Sequence, residues 1–279
     1  MRKKLSIKKQ LHPRNIHNNG YDFEQLIQSY PALNACVFKN KHGNLSIDYS
    51  NSQAVKYLNA AILKHDYKID NWDLPKSALC PPVPGRADYI HYVADLLNFP
   101  NANSIIKLLD IGTGANGIYP LLASQIYQWQ CVGSDISDAS LLNIESILVN
   151  NPKLKESIET RKQNDKHKIF EGIIQTGEYF DITICNPPFH ASEQDATKSS
   201  KQKSKNLGES NGNFNPFEDG FSGLNFGGQA NELWCNGGEK LFLKKMIKES
   251  KQFEQQVRWF TSLVSKSEKS LRSSWRPFF

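Results

Sequence analysis

The sequence predicts an α/β protein in which a doubly wound, mostly parallel sheet carries helices on both faces. Three observations indicate this class. From residue 104 onward, short apolar runs alternate with helical patterns, as in successive βαβ units. A glycine-rich turn at residues 112–117 follows the first of these runs. A later run stops at Pro187 and Pro188, which cannot continue a central strand.

The predicted elements follow in order along the chain. Residues 1–20 form a basic arm that we expect to be mobile, and residues 21–103 form a mixed region ahead of the sheet domain, 104–279. Residues 190–229 are predicted to be a long polar loop, because they are rich in Ser, Lys, Asn and Gly. Apolar spacing predicts strands at 105–111, 131–135, 158–162, 180–185 and 257–264, and helices at 21–29, 52–66, 87–97, 118–127, 137–150 and 239–253.

Residues 80–85 contain three prolines, which remove backbone donors and restrict φ. We therefore expect this segment to be a rigid extended linker that ends at Arg86, with the next helix beginning at Ala87.

The formal net charge is +6, and the basic residues are clustered. Such clusters suit a polyanionic partner, although a solvated tail and a solvated loop would have the same composition. The first twenty residues contain no acid, and their basic residues are Arg2, Lys3, Lys4, Lys8, Lys9 and Arg14. The second cluster lies in the polar loop and consists of Lys198, Lys201, Lys203 and Lys205.

The composition argues against several other classes. The five cysteines are scattered and lack metal-ligand spacing, so we expect free thiols and no bound metal. We expect no membrane association, because no apolar run approaches the roughly 20 residues that a membrane helix needs. The basic N-terminus is not followed by the apolar stretch of a secretory signal, so we expect a cytoplasmic protein. We also expect a monomer.

The glycine-rich turn leads from a strand into a helix and suits NAD, FAD or S-adenosylmethionine. Although its spacing also fits a dinucleotide fingerprint, Asp110 precedes Gly112 by two residues and would repel a pyrophosphate. A carboxylate there can accept a hydrogen bond from a ligand ammonium group or from an ordered water. Asp135, at the end of the second strand, can bind both ribose hydroxyls. Both acids could instead be ordinary turn formers at strand ends.

The stretch after the fourth strand, Asn186-Pro187-Pro188-Phe189, carries the most chemical information. The Asn186 side-chain oxygen and the Pro187 carbonyl are acceptors held in place by a backbone of fixed φ. Two acceptors aimed at the N–H groups of adenine N6 would favour its attack on a sulfonium methyl group. Phe189 can stack on the base, a contact worth roughly 1–3 kcal/mol in comparable sites. The alternative is an Asn-Pro turn without a chemical role.

These motifs, taken together over residues 11 to about 268, resemble the bacterial ribosomal RNA large subunit methyltransferase F family. The resemblance implies a Rossmann-like class I methyltransferase that uses S-adenosylmethionine to methylate N6 of one adenine in 23S ribosomal RNA, either naked or in an assembling large subunit. The proline-rich block is the most specific of the matching motifs, which are Leu11-His12-Pro13-Arg14-Asn15, Asn71-Trp72-Asp73, Cys80-Pro81-Pro82-Val83-Pro84-Gly85-Arg86-Ala87-Asp88-Tyr89-Ile90, Asp110-Ile111-Gly112, Asn186-Pro187-Pro188-Phe189-His190 and Asn225-Phe226-Gly227-Gly228-Gln229.

The resemblance also implies roles for individual residues. The adenine would be held by Asn186, Pro187, Pro188 and Phe189. Region 21–103 would contact the RNA. Arg86 would face the cofactor pocket or the RNA backbone, or else anchor the N-terminal region by a salt bridge. RNA contacts are also assigned to Lys201, Lys203 and Lys205. The cofactor pocket would be lined by Asp110, Gly112, Gly114, Asp135 and Asn164.

Two features depart from the family pattern. The loop between Gly208 and Asn225 is long, and residues 266–279 do not have the pattern of the hairpin that would complete the sheet. We therefore expect an incomplete C-terminal hairpin, with the fifth strand as an exposed edge. The alternatives are a protein glutamine N5-methyltransferase, a DNA adenine methyltransferase, and an RNA-binding protein without catalytic activity.

Overall fold

The computed structural model describes residues 10–76, 78–97, 105–188 and 238–264. Its strands are β1 (Val37–Lys39), β2 (Leu45–Ile47), β3 (Lys107–Ile111), β4 (Gln130–Asp135), β5 (Ile158–Lys162), β6 (Phe180–Cys185) and β7 (Val257–Phe260). Its α-helices are α1 (Phe23–Ser29), α2 (Ser52–Tyr67), α3 (Val83–Leu97), α4 (Ile118–Tyr127), α5 (Asp138–Val149), α6 (Pro152–Lys155) and α7 (Gly238–Ser250), with 3₁₀ turns at Ile16–Asn19, Pro31–Cys36 and Lys251–Phe253.

Five strands form one parallel sheet in the order β5-β4-β3-β6-β7. The central strand β3 pairs with β4 on one side and β6 on the other, so Leu109 lies between Val132 and Thr183. The chain winds away from β3 in both directions, which places a ligand-binding crevice at the carboxyl ends of β3 and β6. The predicted doubly wound sheet is confirmed.

The sheet separates two hydrophobic cores, because successive side chains of a strand point to opposite faces. Leu108 packs in the larger core, together with residues from the N-terminal helices, α4 and α5. Leu109 packs on the other face, where α7 contributes Met246 and the segment before β6 contributes Phe170. The region ahead of the sheet therefore shares a core with the sheet domain.

The expectation of a mobile arm through residue 20 is wrong from residue 10 onward. His12 and Asn15 are buried, and both donate hydrogen bonds to the carboxylate of Asp88 on α3. Arg14 pairs with Asp95 on the same helix at 2.5 Å. The match to Leu11-His12-Pro13-Arg14-Asn15 therefore has a structural basis, since this segment fastens the N-terminus to α3.

The expectation that residues 80–86 form an extended linker is also wrong in part. Helix α3 begins at Val83, and the Arg86 N–H already donates to the Pro82 carbonyl at 3.2 Å. Proline is tolerated in the first turn of a helix, where its missing N–H would have no partner. Only residues 80–82 are extended, and Asn59 donates to the Pro81 carbonyl at 2.7 Å.

The small antiparallel pair of β1 and β2 was not predicted from the sequence. At the other end of the chain, β7 is the last strand of the described sheet, and residues 265–279, where the incomplete hairpin is expected, lie outside the described residues. Within the described ranges, no helix is long and apolar enough to span a membrane.

Candidate active site

The glycine-rich turn after β3 is fixed by hydrogen bonds from its own backbone. The N–H groups of Gly112 and Thr113 both donate to the Ser134 carbonyl at 2.9 Å. Gly112 and Gly114 have φ values of +71° and +62°, in the left-handed region that favours glycine. A side chain on Gly112 would meet open space, so the positive φ, and not a lack of room, is what favours glycine there.

The N-terminal region forms hydrogen bonds with this turn and so helps to fix its position. Trp72 donates its indole N–H to the Asn116 carbonyl at 3.0 Å, and Asn116 donates to the Leu79 carbonyl at 3.3 Å. Asn143 on α5 donates to the Ala115 carbonyl at 2.8 Å. The Asn71-Trp72-Asp73 motif thus contributes a brace for the glycine-rich turn.

Asp135 lies at the end of β4 and is buried, with its carboxylate beside the turn. One oxygen accepts from Gly114 N–H at 2.9 Å and the other from Ser137 N–H at 2.8 Å. Burial raises the pKa of this carboxyl, and the backbone donors oppose the rise. Each carboxylate oxygen can accept a further hydrogen bond, so Asp135 can position the turn and also take ligand hydroxyls.

A buried basic side chain, Arg86, and a buried acidic side chain, Asp110, lie near each other beneath the turn. Arg86 is 7% exposed and donates to the Tyr119 hydroxyl at 2.7 Å, while its Nε has no partner among the described residues. Asp110 is 1% exposed, and neither of its carboxylate oxygens has a described partner. Burial raises the pKa of the Asp110 carboxyl to about 7. The neighbouring Thr113 hydroxyl and, less strongly, the Arg86 guanidinium oppose that rise in pKa, whereas the Asp135 carboxylate adds to it.

A cavity of about 990 Å³ opens at this edge of the sheet. Of the predicted site residues, six line it: Arg86, Gly112, Gly114, Asp135, Asn186 and Pro188. The Asn186 side-chain oxygen is shielded from solvent and has no hydrogen-bond partner within the described part of the chain. The structure therefore brings the proline motif and the glycine-rich turn to one cavity.

Three predicted residues are described but do not line this cavity. Asp110 and Pro187 are buried behind its wall, and Asn164 is exposed to solvent. In the loop after β5 it is Gln163 that lines the cavity, but both ends of its amide are engaged, with Asp165 N–H and the Glu171 carbonyl. Four predicted residues lie outside the described ranges: Phe189, Lys201, Lys203 and Lys205.

Several lining residues were not predicted from the sequence. Tyr119, which holds Arg86, is 33 positions away in sequence, and no sequence pattern joins the two. The lysines of helix α7 could have been found from the sequence, because they recur at helical spacing and so lie on one face of the helix. The missed basic residues of the lining are Lys166, His167, Lys168, Lys244, Lys245 and Lys248. In the described ranges, no group of His, Cys, Asp and Glu is arranged to hold a metal ion.

Comparisons with known proteins agree with this geometry. The family model described as RNA methyltransferase matches residues 5–274. A protein of Saccharophagus degradans named ribosomal RNA large subunit methyltransferase F is 54% identical over 271 residues, covering 93% of this chain and 84% of that protein. A Shewanella baltica protein of the same name is also 54% identical, covering 96% of this chain and 73% of that protein.

Solved structures give the same result. The hMettl16 catalytic domain in complex with the MAT2A 3'UTR hairpin 1 has a TM-score of 0.76 and 28% identity, covering 94% of this chain and 84% of that chain. The N-terminal domain of human METTL16 in complex with SAH has a TM-score of 0.72 and 25% identity, covering 94% and 86%. The resemblance seen in the sequence is confirmed: the chain belongs to the RNA methyltransferase family, with relatives named ribosomal RNA large subunit methyltransferase F.

Proposed function

We propose that this enzyme transfers a methyl group from S-adenosylmethionine to N6 of a single adenine in 23S ribosomal RNA. The observation that carries the proposal is the Asn186 side-chain oxygen, an acceptor without a partner in the described residues, on a residue that lines the same cavity as the glycine-rich turn. The names of the relatives support ribosomal RNA of the large subunit as the substrate.

The orphaned buried groups fit an amino-acid-bearing cofactor. A buried carboxylate and a buried guanidinium without described ionic partners are costly in an empty fold, because charges lose their hydration on burial. A ligand with both an ammonium and a carboxylate group would offset that cost. We assign Arg86 to the cofactor carboxylate rather than to RNA, because it is 7% exposed. Asp110, behind the wall, would accept from the ammonium group or from a water that bridges to it.

The remaining part of the cofactor would lie along the glycine-rich turn. Gly112 has open space where a side chain would be, which allows a ligand to approach the backbone. The carboxylate of Asp135 would accept the ribose hydroxyls while still holding Gly114. When bound, S-adenosylmethionine supplies an electrophilic sulfonium methyl group.

The residues after β6 would act on the adenine. The N6 lone pair is delocalised into the ring, and attack requires the nitrogen to become pyramidal. The Asn186 oxygen would accept one N6–H. We assign the other to the Pro187 carbonyl, which is next in the chain, although Pro187 is itself buried and outside the cavity lining. Both bonds would strengthen as positive charge develops on N6. Because the N6 proton becomes acidic during attack, release to water suffices, and no strong base is assigned.

The test is to identify the methylated product. The protein is incubated with labelled S-adenosylmethionine and either naked 23S ribosomal RNA or assembled large subunits, and the RNA is digested to nucleosides. We expect the label in N6-methyladenosine from one position. Label in another nucleoside, or in a glutamine of a ribosomal protein, would overturn the proposal.

A further inference from the structure

One face of α7 carries lysines that the proposed reaction does not use. Lys244 and Lys248 are one helical turn apart, and Lys245 lies beside them on the same side. All three line the cavity, whereas Leu243 and Met246 on the opposite side are buried in the protein. We call Lys244, Lys245 and Lys248 the basic face.

Among the described residues, no acid neutralises the basic face. Within the described part of the chain, none of its three lysines forms an ion pair or a side-chain hydrogen bond. The closest acid in sequence, Glu249, is buried and points away, because its carboxylate accepts backbone hydrogen bonds from another segment. Three cations without a described acidic partner therefore line one side of the cavity.

More positive charge lies across the mouth, in the loop after β5. Lys166 is exposed and lines the cavity, and Lys168 is next to it but pairs with Glu171. Glu249 links the two sides, since its carboxylate accepts from the N–H groups of Phe170 at 2.7 Å and Glu171 at 2.8 Å. The spacing between the loop and α7 is thus set by a buried contact.

We infer that the basic face binds the phosphodiester backbone of the RNA strand that carries the target adenine. This inference rests on the proposed function. Lys244 and Lys248 are separated by about 6 Å along the helix, so together they can follow successive phosphates of one strand. A lysine ammonium on a flexible stem suits this role, because it neutralises a phosphate without demanding a fixed geometry.

The experiment compares two matched double variants. K244Q/K248Q removes two exposed charges of the basic face, and K153Q/K155Q removes two exposed charges on α6 that do not line the cavity. Binding of a fluorescein-labelled fragment of 23S ribosomal RNA is measured by anisotropy over a salt series. Calorimetry with S-adenosylmethionine is run on each protein.

For K244Q/K248Q we expect RNA binding to weaken roughly tenfold at about 0.1 M salt, and the salt slope to fall by about 1.4, or about 0.7 for each lost phosphate contact. The affinity of K244Q/K248Q for S-adenosylmethionine should equal that of the parent protein. The salt slope of RNA binding by K153Q/K155Q should also equal that of the parent protein. Equal slopes in the two variants would overturn the inference and leave the proposed function intact. A parent protein that binds RNA but does not methylate adenine would overturn the proposed function, while the slopes would still test the basic face.

Discussion

The floor and the mouth of the cavity handle charge in opposite ways. At the buried side, which we call the floor, Arg86 lines the cavity and Asp110 is buried outside its lining. Neither forms an ion pair within the described residues. At the mouth, Lys166, Lys244 and Lys248 are exposed. A buried charge costs stability until a ligand of matching shape and charge arrives, whereas an exposed lysine is hydrated and costs little. The floor therefore suits a small zwitterion, and the mouth suits a long polyanion.

This comparison predicts that changes behind the mouth have large effects on turnover and stability, whereas changes at the mouth have little effect on stability. The largest effect is expected for Asn186→Ala. Loss of one acceptor that acts mainly in the transition state should lower turnover on the order of 10²–10³-fold. Cofactor affinity, measured by calorimetry, should change little. If turnover and cofactor affinity fell together, Asn186 would be a structural residue.

Glu249→Ala should cause the largest loss of stability. It leaves the N–H groups of Ile169, Phe170 and Glu171 without their acceptor in a buried position, at a cost of roughly 2–4 kcal/mol. Urea unfolding measures the change. Glu249→Gln keeps one oxygen and should lose less, and Glu156→Ala, at an exposed site, is the matched control. If Glu249→Ala lost no more unfolding free energy than the control, Glu249 would not hold α7 to the loop after β5.

Asp110→Asn tests the floor by its pH dependence. Burial raises the pKa of the Asp110 carboxyl to about 7, so the group becomes ionised only as pH approaches neutrality. Because the ionised form attracts an ammonium group, cofactor affinity should rise between about pH 6 and pH 7.5 in the parent protein. The variant should bind about tenfold more weakly at neutral pH, with no such rise. If the cofactor affinity of the variant rose with pH in the same way as that of the parent protein, Asp110 would be excluded from cofactor binding.

The same pKa sets the sign of a stability effect in the ligand-free protein. The folded-state pKa lies above the unfolded value of 3.8, so the folded protein holds the proton longer. The contribution of Asp110 to stability is then present below about pH 4 and is lost as pH rises to about 7. Asp110→Asn, which cannot ionise, should unfold at higher urea than the parent at pH 8 and should show no such decline.

The smallest effect is expected at the mouth. Lys168→Gln breaks an exposed ion pair with Glu171, and such pairs contribute little because water screens them. Its melting temperature should match that of the parent protein in a calorimetric scan. A clear decrease would mean that the mouth, like the floor, depends on its charges for folding, and the contrast between the two regions would fail.

Local patterns in the sequence predicted the sheet with little error. Strands β5 and β6 were predicted at their observed bounds. The pattern was clear for β6, a mostly apolar run that is buried on both faces of the parallel sheet, and weak for β5, which is mostly polar. The first turn of α3 was missed, since proline excludes the interior of a helix but not its start. The basic arm was misjudged because His12 and Asn15 are polar and are buried only through partners some 70 positions away.

Some properties of the site could be inferred from neighbouring residues alone: the glycine-rich turn, the acids at two strand ends and the amide before two prolines, since each is a short motif whose geometry follows from its own backbone. The partnership of Arg86 with Tyr119, the burial of Asp110 and the exposure of Asn164 could not be inferred in this way. Burial and charge pairing depend on which distant segments meet, and that is settled only when helices and strands pack into one core.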